Sequence, residues 1–94
     1  SRFTGNEDIS RGQMAVMLAK YLRSVGLGEP ENAQPVQFAD AAQMTDEEAA
    51  AFRVLYARGV FYGVGGNRME PAGTTTRSQF AALLNRISDV LDER

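Results

Sequence analysis

Apolar side chains at Met14, Met17, Leu18, Tyr21, Leu22 and Val25 recur at steps of three and four residues, the spacing that lines one face of an α-helix. The stretch predicts a helix from about Arg11 to Val25. Ser10 offers an N-cap oxygen and Gln13, three residues on, can reach back to the cap's own N–H, so "SRGQ" reads as a capping box. Gly26 ends the helix. The plan recurs near the other end of the chain, where Thr76 and Gln79 form the box and Phe80, Leu83, Leu84, Ile87 and Leu91 make the stripe of a helix from about Arg77 to Leu91. Between them "TDEEAAAFRVLYARG" predicts a third helix. Thr45 caps it, Glu48 closes its box, and Asp46 and Glu47 meet the positive end of its dipole. Ala49, Phe52, Leu55 and Tyr56 supply its apolar side, and Gly59 stops it. The expected fold is all-α: three short-to-medium helices joined by long Gly/Pro-rich loops.

The segment from Gly26 to Gln37, "GLGEPENAQPVQ", is polar and carries Pro and Gly, as a linker does. From Gly59 to Pro71 four glycines and a proline exclude regular helix, while Val60, Phe61, Tyr62 and Val64 favour extended chain. A tight hairpin and an apolar-anchored loop both remain open there.

Arg11 and Arg77 stand 66 residues apart, and the text around them is duplicated: Ser10 meets Thr76, Gln13 meets Gln79, Met14 meets Phe80, Ala15 meets Ala81 and Leu18 meets Leu84. The match continues upstream without a gap, with Phe3 on Met69 and Gly5 on Pro71. Residues 1–25 thus read as the second half of one repeat, 26–37 as a linker and 38–94 as a complete repeat. Repeats of this size bury their apolar faces against neighbouring copies. The chain is therefore expected to be a piece of a longer protein, completed by further repeats or by a second copy.

Composition removes several chemistries. With 94 residues there is room for one small core. No cysteine means no disulfide, thiolate metal site or thiol nucleophile, and no histidine means no imidazole chemistry. Paired carboxylates outside a capping role are missing too, so an enzyme is not expected, nor a metal or other cofactor. The cysteine count leaves the redox compartment open. Net charge is −2, and nine of the ten basic residues are arginines without a basic tract, which argues against nucleic acid. No apolar run approaches the roughly 20 residues of a membrane span.

The ordered elements Phe38-x-Asp40, a helix, Gly59-Val60-x-x-Gly63, a Gly-rich turn, Met69-x-Pro71 and Thr76-Arg77-Ser78-Gln79-Phe80-Ala81 resemble the S-layer homology (SLH) repeat of bacterial cell-surface proteins. The resemblance spans about Phe38 to Ile87 in full, and Arg2 to Leu22 as the back half of a preceding copy. It implies a non-catalytic anchoring module at the bacterial cell wall, whose inter-repeat grooves hold secondary cell-wall polysaccharide, often through an acidic pyruvylated sugar. The arginine of the family's Thr-Arg motif would meet the sugar's acid group. Here that arginine is Arg77, and Arg11 in the partial copy, with Gln79, Gln13 and Asp40 beside them. The family's frequent tryptophan is absent, Phe52 being the nearest aromatic, and glutamine replaces the usual acidic residue of the motif in both copies.

Physical chemistry raises the same arginines independently. A cation in the first turn of a helix faces the positive end of the macrodipole, at a cost of up to about 1 kcal/mol. Its recurrence implies negative charge nearby: an external acidic ligand, or an internal carboxylate such as Asp40, Asp8 or Glu70. The functional alternatives are therefore a carbohydrate-binding anchor and a structural, self-associating module of the same fold. "DEE" at 46–48 reads as cap and dipole chemistry, "GVGGN" at 63–67 as a turn, and Met14 and Met17 as core. Tyr56, Phe61 and Tyr62 read as core or loop anchors, with sugar stacking as the alternative.

Overall fold

The computed structural model of the protein describes residues 9–93. In chain order these form a two-residue strand β1 (Ile9–Ser10), helix α1 (Arg11–Ser24), helix α2 (Asp46–Ala57), a second two-residue strand β2 (Thr74–Thr75) and helix α3 (Arg77–Glu93). A single 3₁₀ turn, Ala41–Gln43, precedes α2. The fold is helical, as the periodicity predicts. The equivalences of Phe3 and Gly5, and the partner suggested in Asp8, lie outside the described residues.

All three helices start as their capping boxes dictate. In each, the hydroxyl of Ser10, Thr45 or Thr76 accepts the N–H three residues on, and the side chain of Gln13, Glu48 or Gln79 accepts the cap's own N–H. Helices α1 and α2 also end alike. Gly26 and Gly59 take left-handed backbone, and the next residues, Leu27 and Val60, donate their N–H groups back to Leu22 and Leu55, a Schellman closure. Both Leu27 and Val60 are buried, so each helix stop also seeds the core.

The core lies between α1 and α2, which pack directly on each other. Met14, Ala15, Leu18, Ala19 and Leu22 face Ala51, Phe52, Val54 and Leu55, with Phe38, Val60 and Met69 closing the ends. Phe38 meets Phe52 and Tyr56 edge-on at centroid distances of 6.3 and 6.0 Å, a favoured arrangement for aromatic quadrupoles. Two stripe residues depart from expectation. Tyr21 is largely exposed and Met17 only half-buried, because α2 covers the line through Met14, Leu18 and Leu22 and leaves the adjoining flank of α1 open. Helix α3 buries only Leu83 and Ile87 fully, and Leu84 is 45% exposed.

The segment 59–71 is an apolar-anchored loop rather than a hairpin. Buried Val60 and Met69 hold its two ends, and between them Val64 N–H bonds Arg68 C=O and Arg68 N–H bonds Gly65 C=O. Positive φ at Gly65, Gly66 and Asn67 forms the turn between Val64 and Arg68, and no strand forms on either side of it among the described residues. The linker is docked: Gly28 C=O accepts from Arg58 Nε, Glu29 pairs with Arg53, and Gln37 C=O accepts from Asn67 Nδ2.

Candidate ligand groove

Strands β1 and β2 bring the two duplicated segments together. They pair antiparallel with Ile9 opposite Thr75, residues separated by the repeat offset of 66. At this pair equivalent positions face each other across the bridge, and α1 and α3 leave it from two like starting points. Neither helix start is buried inside a longer helix, and both carry the same cap.

The two arginines nevertheless sit in different surroundings. Arg11 is drawn against the loop that precedes β2. Its Nη1 donates to Glu70 C=O at 2.9 Å and its Nη2 to Thr74 C=O at 3.2 Å, with the Glu70 carboxylate 3.9 Å away. Its side chain is only 13% exposed. The backbone joins the same clamp, since Arg11 N–H bonds Gly73 C=O and Gly12 N–H bonds Pro71 C=O. These carbonyls satisfy two donors that a helix start leaves free. Gly73 has to be glycine for this, because a Cβ there would lie 2.2 Å from Arg11 Nη1. Arg77 is exposed, and among the described residues it has no hydrogen bond or ion pair.

Asp40 does not take up an arginine as an internal-pair reading would have it. Its two carboxylate oxygens accept the backbone N–H groups of Met69 (3.1 Å) and Glu70 (2.8 Å). Burial pushes the Asp40 carboxyl up, but these N–H groups and the nearby Arg68 charge outweigh it and hold the pKa below the ordinary value. Glu70, at left-handed φ of 51°, is thereby pinned where its carbonyl meets Arg11. Its own carboxylate pairs with Arg68. Asp40 thus supports Arg11 through the backbone. A polar depression beside it, lined by Asp40, Gln43, Arg68 and Glu70, has its charges paired internally.

On the other side of Arg11 an open groove of about 250 Å³ runs between α1, α3 and the 60–64 loop. Arg11, Thr75, Gln79 and Arg86 give it polar groups, and Met14, Phe61, Val64 and Leu83 give it apolar walls. Gln79 spends its carbonyl oxygen on the cap, so its amino group, a donor, is what remains for the groove. Arg86 reaches across from α3 to Val60 C=O at 3.2 Å. Thr75, 2% exposed, has a buried hydroxyl without a hydrogen-bond partner among the described residues. The lining carries two guanidinium groups and no carboxylate, on a chain whose net charge is negative.

Of the residues singled out from sequence, the groove brings together Arg11 and Gln79, with Met14 and Phe61 in its apolar walls. Gln13 closes the α1 cap, Arg77 stands outside the lining, and Asp40 lies behind Arg11. Arg86 and Thr75 are the polar lining residues not singled out beforehand; Arg86 had a readable signal, since it falls 66 residues after Lys20 and is basic in both copies. Tyr62, 61% exposed, stacks edge-on against Tyr56 outside the groove. No group of three acidic side chains close enough to hold a metal ion occurs among the described residues.

Residues 37–81 match the family described as S-layer homology domain. This segment is an S-layer homology domain. Comparison with curated proteins and with solved structures gave no match. S-layer homology domains are non-catalytic modules of cell-surface proteins that attach them to cell-wall polysaccharide. The matched stretch contains the 60–64 loop, the clamp around Arg11 and the first turn of α3. No described helix is long and apolar enough to cross a membrane.

Proposed function

We propose that the chain anchors an extracellular bacterial protein to the wall by binding an acidic, pyruvylated secondary cell-wall polysaccharide in the groove beside Arg11. The observation that carries this reading is one groove lined by two guanidinium groups, the Glu70-braced Arg11 and Arg86, together with the amino donor of Gln79 and no carboxylate in its lining. The groove lies between α1 and residues 61–86, which fits the division into a half repeat (1–25), a linker (26–37) and a whole repeat (38–94). Pull-down with purified, pyruvate-bearing wall polysaccharide tests it. Wild-type protein should be retained, and polymer stripped of its pyruvate by mild acid should retain none. Equal retention by both polymers would remove the acid from the account.

A second reading has its own support. In α1 the line Met14, Leu18, Leu22 is covered by α2, whereas Leu84 of α3, the counterpart of Leu18, is exposed. Helix α3 is thus open to another repeat or to a second copy, and the chain would serve as a self-associating scaffold. A dimer that forms with rising concentration in sedimentation, together with no retention on wall polysaccharide, would favour it.

A further inference from the structure

We propose that Arg86, in the middle of α3, rather than Arg77 at its start, is the cation that this helix contributes to holding an acidic ligand. The inference rests on the carbohydrate-binding reading above and narrows it to a particular side chain. Arg86 lines the groove and Arg77 does not.

The hydrogen bond from Arg86 Nη1 to Val60 C=O steadies the guanidinium over the groove and leaves its other nitrogens without partners among the described residues. Arg11 is differently placed: its two terminal nitrogens are already engaged by Glu70 and Thr74 carbonyls, so it supplies positive charge to the floor more than free donors. The two cations divide the work. Arg86 offers the open fork that a carboxylate can take up, while Arg11 sets the field around it. Gln79 shares the lining with them, and its amino group suits a hydroxyl or carbonyl oxygen of the same sugar residue. The ligand class that fits is a saccharide with one carboxylate at its edge.

Calorimetric titration with soluble wall polysaccharide bearing pyruvate ketals, and with the same polymer after mild acid treatment, tests this. R86Q should weaken binding of the ketal-bearing polymer at least about tenfold, the loss of one charge-assisted hydrogen bond. R77Q should stay within about twofold of wild type. R86K, which keeps the charge and one donor, should fall between R86Q and wild type. Affinity of R86Q should also vary less with salt, which a purely structural role of Arg86 would not produce. A82E leaves the Val60 contact alone but places a carboxylate on the groove wall, so it should weaken binding as R86Q does even if R86Q melts lower. Wild-type affinity in R86Q or in A82E, or loss of binding in R77Q alone, overturns the role of Arg86 while leaving the carbohydrate reading standing. No binding by the wild-type protein overturns both.

Discussion

Asp40 shows how much one buried carboxylate can organise. It serves two backbone N–H groups of a loop whose next task is to clamp Arg11. Replacing it by Asn puts an amino group or a weaker acceptor against those donors, and should cost about 1–3 kcal/mol in urea unfolding. Because its folded-state pKa is lowered, its contribution is fully present above the unfolded value of about 4. It is lost as pH falls through the lower folded value. The acid limb of the stability profile should therefore flatten in D40N. Gly73→Ala attacks the same clamp from the other side. The added methyl collides with Arg11 Nη1 and comes within 3.2 Å of the Glu70 carbonyl, so a destabilisation of about 1–3 kcal/mol is expected in thermal melts, together with loss of polysaccharide binding.

At the scale of elements, helix starts rest on hydroxyl caps. Thr45→Ala and Thr76→Ala should each cost about 1 kcal/mol, read as a lower melting temperature by circular dichroism. Such caps were legible in sequence because box and stripe fall within four residues of each other. The β1–β2 bridge was not legible: two-residue strands have no period to detect, and the partners are more than 60 positions apart. The exposure of Tyr21 and Leu84 escaped for a related reason. A stripe shows which face of a helix is apolar, but only the neighbouring element decides how much of that face is covered. Arg11 and Gln79 were found from the duplicated helix starts, whereas Arg86 carried only the weaker signal of a basic residue 66 positions after Lys20, and its bond to the 60–64 loop is what marks it out.

For the whole molecule, stability is concentrated where α1 meets α2. Phe52 is fully buried at that seam and touches the Phe38 and Phe61 rings, so Phe52→Ala should cost about 3–5 kcal/mol, enough to unfold much of a domain this small. Helix α3 contributes fewer buried side chains, and Leu84→Glu should leave the melting temperature nearly unchanged while abolishing any concentration-dependent dimer in sedimentation. The meeting of Ile9 with Thr75 has a consequence for how the module comes apart. Its walls belong to chain regions more than 60 positions apart in sequence, and closing so long a loop is entropically dear. Thermal motion should part this seam before it disturbs the aromatic interior. An acidic glycan seated across it would act as a staple, and at a hundredfold excess over its dissociation constant would hold the ends together by about 2.7 kcal/mol.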